Sequence, residues 1–552
     1  MTEAAPKGLA LIRLGLNNRK TGAMFAFGLA AGLPFTLLLG TLNAWLGEAK
    51  ISLATIGLLS WIGLVAAFKF LWSPLVDRLR LPLLERFGRR RSWLLLCQGA
   101  LTMTFLLLAI SDPATAIGWF ALVAVIGAFA AATQDIVIDA WRIDVADERA
   151  TLGILSSTYQ LGYRLAGLIG GALAQVRAAR IGWQTVYAVM GVLMAVLLLV
   201  TLIAPDTPRP AVQDDAVAVV GPSARDKRTG LIIVGLCWGW AIITIGAFMA
   251  RVLATPVGQT SPSVGDFTRL TGPWIVIATV VVPALVAAWL NRRALNAQYF
   301  GWAEAGAAPA SGFVEHGYRA LILPMAELVG RLGFGVVIVL GLILSYRLCD
   351  SIWGPFAYPF YLEELKYTND EVAFASKIFG VGMTILGVSL GGISFAVLGR
   401  MPTLLIGAIV AAASNLLYAD LAAGAPVIDA VAGALGLHGL GFDARMVRLL
   451  VAISGENIAG GLASTAYVAY LSSIASKEYS AVQYALLSSL TLLVGSLGRA
   501  GLGEAVEQMG YAPVFRFTAA LGLVAVVFVL LEWVRWKREL RRQDGGLAEL
   551  RD

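Results

Sequence analysis

Apolar residues dominate this chain in long blocks, separated by shorter polar or basic stretches. A bilayer core about 30 Å thick needs about 20 apolar residues of helix at 1.5 Å per residue. On that criterion the pattern predicts fourteen membrane spans, near 22–46, 53–75, 92–111, 117–140, 151–175, 184–204, 230–250, 273–291, 332–360, 374–398, 402–419, 447–474, 482–503 and 512–534. One block breaks the pattern from within. Thr133-Gln134-Asp135-Ile136-Val137-Ile138-Asp139 places an amide and two carboxylates late in the fourth span. Ionisable groups at membrane depth are costly and generally face a protein interior or a water-filled route.

The spacing of the spans repeats. Spans one to six and spans nine to fourteen have corresponding starts 310 to 331 residues apart, and Leu155-Ser156-Ser157 recurs 332 residues later as Leu487-Ser488-Ser489. The chain therefore reads as six helices, an inserted pair, then six helices. Two parallel six-helix halves are the architecture of the major facilitator fold. The expected fold class is an all-α integral membrane protein of that fold, with two additional transmembrane helices between the bundles. The expected domains are an N-terminal bundle over 1–205, linkers and the extra pair over 206–331, a C-terminal bundle over 332–539 and a tail over 540–552.

Composition fits membrane solvation: 58% of residues are hydrophobic and 14% charged, with mean hydropathy +0.77. A soluble domain of this length has no way to hide so much apolar surface. The net charge of +7 says little about nucleic acid, and none is expected as a partner; its placement matters more. Arg78, Arg80, Arg86, Arg89, Arg90 and Arg91 follow span two, Arg292 and Arg293 follow span eight, and Arg535, Lys537, Arg538, Arg541 and Arg542 follow the last. By the positive-inside rule these segments and both termini are expected in the cytoplasm, although Arg177 and Arg180 fall on the other side. Lys7, Arg13, Arg19 and Lys20 precede an apolar run too long for a signal-peptide core, so a retained first span is expected. Cys97, Cys237 and Cys349 are too scattered for a disulfide framework or a zinc site, and His316 and His438 lie in connecting segments. There is no Walker-type phosphate loop and no Ser/His/Asp grouping, so neither ATP-driven work nor an enzyme is expected. No metal or cofactor is called for, and a monomer in the bilayer is expected.

Asp135 and Asp139 share a helix face, with Arg142 three residues on. Lys69, in Phe68-Lys69-Phe70-Leu71-Trp72, lies about 24 Å along its span and Asp135 about 27 Å along its own, so the two are level. Ser157, Gln160 and Arg164 form a polar stripe on span five. One reading is a polar cavity in which a carboxylate paired with Lys69 or Arg164 exchanges a proton. The other is static: Lys69 extends to the interface and Asp139 pairs with Arg142.

In the second half, Glu456-Asn457 opens a stripe of Gly460, Gly461 and Ser464. Glu456 is either a second protonation site or a partner for Arg499. Asp350 precedes a helix break at Gly354, Pro355 and Pro359. Trp353, Phe356, Tyr358, Phe360 and Tyr361 either stack on sugar rings or form an interfacial aromatic belt. Asp77 and Arg78, followed by Gly88-Arg89-Arg90-Arg91, fit either plain topology or an Asp-plus-basic latch between the halves, with Arg142 near the same gate.

Thr41-Leu42-Asn43-Ala44-Trp45-Leu46, Phe68 to Arg78, Gly88 to Leu95, Gln134 to Trp141 and Leu161 to Leu165 together resemble the muropeptide permeases of the AmpG type. Asp350 to Pro355, Glu456-Asn457 and Tyr467 to Leu487 agree more loosely. The resemblance implies a proton-driven importer in the bacterial inner membrane that takes up GlcNAc-1,6-anhydroMurNAc, with or without peptide, during peptidoglycan recycling. It fits proton-coupling roles for Asp135, Asp139 and Glu456. It fits substrate contacts from Lys69, Gln134, Gln160, Arg164, Asn43, Asp350, Trp353 and Asn457, and a cytoplasmic gate of Asp77, Arg78, Arg89, Arg91 and Arg142. A transporter of another metabolite and a non-transporting assembly factor are the competing classes; buried Lys69, Asp135 and Arg164 speak against the scaffold.

Overall fold

A computed structural model describes residues 9–51, 62–79, 81–207, 222–254, 262, 264–299, 312–353 and 356–549. The helices used below are α1 (Arg19–Glu48), α2 (Ile62–Ala67, Lys69–Leu71 and Ser73–Arg78), α3 (Arg89–Ala109), α4 (Ile117–Val145), α5 (152–181), α6 (Trp183–Ile203), α7 (Ala224–Ala254), α8 (Arg269–Ala294), α9 (312–332), α10 (Gly335–Ser345 and Leu348–Trp353), α11 (Asn369–Leu398), α12 (Arg400–Ala422), α13 (Ala444–Ile474), α14 (Ser480–Met509) and α15 (Tyr511–Glu549). The end of the bundle at which α3 begins is called the basic end.

Ten of these helices are long and apolar enough to cross a membrane, and they fall on ten of the fourteen predicted spans. The other four differ for physical reasons. The second predicted span lies partly outside the described residues, and so do the side chains of 492–504 in the thirteenth, Arg499 among them. The fifth is helical throughout, but Ser156, Ser157, Gln160 and Arg164 make it less apolar. The ninth is not the single straight helix expected over 332–360. It begins at Gly335, after a 107° bend. Gly333 makes that bend at φ +53, a conformation in which only glycine is unstrained. The turn before it ends α9, in a stretch expected to be linker.

Side-chain caps set several helix starts. Thr151 accepts from the Ile154 N–H and Asp443 from the Met446 N–H, each filling one of the donors a helix N-terminus leaves open. In the turn before α5, Asp147 accepts from the Arg149 and Ala150 N–H groups and from the Lys20 ammonium at 2.5 Å. Partial burial works to raise its carboxyl, but the Ala150 N–H and the Lys20 ammonium prevail and hold it below the ordinary carboxylate range.

Within each half, small residues let helices touch at the backbone. A Cβ on Gly28 would meet the Tyr159 carbonyl, one on Gly162 the Phe25 carbonyl, and one on Gly461 the Thr384 carbonyl. The α1–α5 contact of the first half and the α11–α13 contact of the second are thus both built on glycine. Gly162→Ala is expected to lower the thermal unfolding midpoint, at a cost of about 1–3 kcal/mol for the forced separation. Gly22→Ala, where a Cβ meets nothing within 4 Å, will leave it unchanged or raise it. Thermal unfolding of the two purified variants in one detergent checks this.

The inserted pair packs on the seam between the halves. Trp238 of α7 donates to the Thr279 carbonyl of α8 at 3.2 Å and sets its ring against Phe70 of α2. The start of α8 packs on α14. α9 is fixed to the second half: Gln483 donates to the Pro324 carbonyl and to Glu327, and Arg331 to the Ile474 carbonyl at 2.6 Å.

Candidate functional site

Two prolines shape the centre of the first half. Pro34 in α1 has no N–H, so the Ala30 carbonyl four residues back loses its helical partner. The Gln134 amide of α4 fills that vacancy at 2.7 Å. Pro74 likewise frees the Phe70 carbonyl, and the Ser73 hydroxyl takes it at 2.9 Å. Just before Pro74 the helix tightens to a 3₁₀ turn over Lys69–Leu71. Trp72 then donates to Thr133 at 3.1 Å, docking the turn on α4.

This turn carries Lys69 into the protein, 6% exposed. Its ammonium lies 3.5 Å from Asp139 and 3.9 Å from Asp135. Asp139 gives its other oxygen to Arg142 at 2.8 Å. Arg142 is fully buried and reaches across to the second half, where it donates to Ser472 at 3.0 Å and lies over the Tyr484 ring. With all four groups ionised the two cations and two carboxylates cancel, the condition under which buried charges are tolerated. The static reading in which Lys69 extends to the interface does not describe this arrangement, although its Asp139–Arg142 pair is present.

The two carboxylates are not equivalent. Asp139 is held by two cations and 9% exposed, whereas Asp135 has Lys69 alone and its side chain is 30% exposed. Asp135 opens onto a small, otherwise apolar cleft between α1, α2 and α4, walled by Pro34, Phe35, Leu38 and Ala131 among others.

The second half holds its own polar centre. Tyr418 donates to Glu456 at 2.6 Å and shares a 2.7 Å hydroxyl–hydroxyl bond with Tyr361. Asn457 accepts from Thr384 at 2.6 Å. Arg347, at the turn inside α10, donates to Ser464 at 2.5 Å and to the Gly460 carbonyl at 3.2 Å, with Asp350 at 4.0 Å. From the first half, Arg164 lies within electrostatic reach of this group: Arg347 repels it, and Tyr163 beside it and Glu456 attract it.

At the basic end a latch ties the halves together. Arg90, with no exposed surface, lies 2.9 Å from both Asp77 and Asp144 and donates to Ser480 of α14. Ser480 donates on to Asp144 at 2.8 Å, and Asp77 accepts from the Val482 N–H at 3.1 Å. The Arg90–Ser480, Ser480–Asp144 and Val482–Asp77 bonds, with Arg142 to Ser472 and Lys477 to the Ala146 carbonyl, join the halves at the basic end. That end is closed.

The predicted site residues thus separate into groups. Lys69, Asp135, Asp139 and Arg142 come together in one cluster, and Glu456, Asp350 and Arg164 approach one another in a second. Gln134 is fully buried, with its amide spent on α1. Gln160 is buried on α5. Asn43 is exposed and donates to its own helix at Leu39. The side chain of Trp353 lies outside the described residues. Phe360 and Tyr361 pack in the protein interior with Tyr418 and Phe515 instead of forming a belt. Among the gate residues, Arg89 pairs with Asp144 at 3.1 Å, Arg91 faces Asp206 at 3.7 Å, and Arg78 is exposed.

Arg90 and Asp144 join the gate, and Arg347 the second polar centre, beyond the residues expected from the sequence. Three consecutive arginines hide which one turns inward, since only the packing of α3 decides it. Arg347 carried the same signal as Asp135, a charge inside an apolar span, and was legible on those grounds.

Two bundles of transmembrane helices that close on a charged centre define a secondary transporter of the major facilitator type. The sequence profile of the Major Facilitator Superfamily matches residues 21–349, and the chain belongs to that superfamily; it is a transporter, not an enzyme. Over 519 residues it is 27% identical to the anhydromuropeptide permease of Escherichia coli strain K12, covering 93% of this chain and 79% of the relative. Over 510 residues it is 28% identical to the putative transporter AmpG 4 of Rickettsia conorii, covering 92% and 95%. Among solved structures, the proton:xylose symporter XylE superposes with a TM-score of 0.53 at 14% identity, covering 93% of this chain and 94% of that one. The human organic anion transporter MFSD10 gives 0.51 at 14% identity, covering 93% and 99%. These two structures bear on the fold alone.

Proposed function

We propose that this protein imports anhydro-muropeptides, GlcNAc-1,6-anhydroMurNAc with or without peptide, from periplasm to cytoplasm across the bacterial inner membrane, driven by the proton gradient and without a cofactor. Both termini and the basic end then face the cytoplasm, in line with the positive-inside rule. The halves alternate as a monomer between states open to one side and to the other. The similarity to the anhydromuropeptide permease of E. coli supports the substrate class.

One observation carries the coupling: Asp135 is the carboxylate of the charge cluster that opens onto the cleft and has a single cation. When Asp135 takes a proton, Lys69 loses one of its two carboxylates and competes with Arg142 for Asp139. Arg142 is also the side chain that grips Ser472 across the halves. Protonation therefore loosens a contact at the closed end, and a charge change becomes a gating event. Glu456, bonded to Tyr418, is the second proton-carrying candidate. Lys69, Arg164, Asp350 and Asn457 are the groups offered to the solute, and Arg90, Asp77 and Asp144 form the inner latch.

The test is uptake of labelled GlcNAc-anhydroMurNAc into proteoliposomes with and without an imposed proton gradient. Concentrative uptake is expected only with the gradient, inside alkaline. Equal uptake in both conditions removes the coupling, and uptake of neither this disaccharide nor its peptide forms removes the substrate.

A further inference from the structure

We propose that Arg164 and Arg347 together seat the carboxylate of the transported solute, with Glu456 as the counter-ion they face when the seat is empty. This assignment rests on the muropeptide reading above and adds Arg347, from the second half, to the residues that recognise the solute.

The two arginines come from opposite halves. Arg164 lies twelve residues from the basic-end start of α5 and Arg347 twelve from that of α10, so both stand about 18 Å above that end. α5 packs directly on α13, which carries Glu456, Gly460 and Ser464 in successive turns. Arg347 is anchored to the last two, donating to Ser464 and to the Gly460 carbonyl. That anchoring fixes the guanidinium one helical turn along α13 from Glu456.

Arg164 is held differently. Its Nε is buried without a hydrogen-bond partner, an unusual state for a guanidinium at membrane depth. Arg347 repels it, and its neighbour Tyr163 and, more weakly, Glu456 attract it. Two like charges brought near one another inside a membrane protein call for an anion between them, and Glu456 is already committed to the Tyr418 hydroxyl. Asp350, the other carboxylate nearby, lies 4.0 Å from Arg347 with its Oδ2 lacking a hydrogen bond. A carboxylate is the natural ligand of such a site, because guanidinium groups bind it through paired, charge-assisted bonds. The lactyl acid of a muramic-type sugar supplies one, and so does a peptide C-terminus. Since one arginine belongs to each half, an anion bound between them also draws the halves together around the solute.

Binding of GlcNAc-anhydroMurNAc to the purified full-length protein, as the free acid and as its carboxyl methylamide, tests this by isothermal titration calorimetry. The native protein is expected to prefer the acid by about tenfold or more, as for loss of one buried charge contact. Arg164→Gln and Arg347→Gln should each erase that preference while leaving methylamide binding within about twofold. Glu456→Gln should tighten the acid and leave the methylamide unchanged, since a competing anion is gone. If Arg347→Gln fails to fold, for want of its ties to Gly460 and Ser464, Arg164→Gln carries the test alone. Equal native affinity for acid and methylamide, or variants that weaken both forms alike, would overturn the seat and leave the muropeptide reading standing. A native protein that binds neither form overturns that reading, and the seat with it.

Discussion

Arg90→Leu is expected to cost about 3–5 kcal/mol of stability, the usual result of leaving a buried ion-pair network without its cation. Asp77 and Asp144 both lie 2.9 Å from this guanidinium, and both are nearly enclosed, with side chains 7% and 3% exposed. Without Arg90, two carboxylates would face each other with Arg89 alone, which is partly exposed and reaches only Asp144. The latch would loosen as well, because Arg90 donates to Ser480 of the opposite half. Thermal unfolding of the variant measures the first effect. Labelling of a cysteine introduced at Ser480 by a membrane-impermeant reagent applied from the basic end measures the second, and faster labelling in the Arg90→Leu background is expected. Arg91→Leu is the control. It faces a half-exposed Asp206 at 3.7 Å and donates to the Leu202 and Ala204 carbonyls, so its loss strands no buried carboxylate and should cost less, about 1–2 kcal/mol.

Asp135→Asn is expected to abolish gradient-driven accumulation while the protein folds normally. The change is nearly isosteric, and it leaves Lys69 with Asp139 at 3.5 Å, so no buried cation is stranded. It fixes the cluster in the charge state of the protonated cycle. A gradient of one pH unit is worth about 1.4 kcal/mol, or tenfold accumulation per proton carried, and the variant should show none of it. Asp139→Asn offers the contrast. That residue serves Lys69 and Arg142 at once, so its loss strands a fully buried guanidinium and is expected to impair folding itself.

Much of this arrangement is written in the sequence, because the membrane makes its rules visible. Apolar length marked most of the spans, and their spacing marked two halves and an inserted pair. The cost of intramembrane charge singled out Lys69, Asp135, Asp139 and Arg164, and helix rise placed Lys69 level with Asp135, where the structure brings them within 3.9 Å. What stayed hidden depended on rotation and contact. Apolarity along α3 does not say which of Arg89, Arg90 and Arg91 faces inward. Gln134 looked like a solute ligand, yet its amide is spent on the carbonyl that Pro34 leaves unpaired. Aromatic residues after Trp353 read as a belt or a sugar platform, but Phe360 finds Tyr418 and Phe515, residues far along the chain. A 107° bend at a single glycine-containing turn is likewise invisible to a hydropathy window.

In the proposed mechanism one half-buried carboxylate, Asp135, links proton movement to muropeptide movement. Proteoliposomes holding the purified protein and a trapped pH indicator, with no gradient imposed, test it directly. Addition of GlcNAc-anhydroMurNAc outside should acidify the lumen with the native protein and not with Asp135→Asn, although the variant still equilibrates labelled solute. Solute entry without acidification in the native protein, or acidification that persists in Asp135→Asn, would contradict the account.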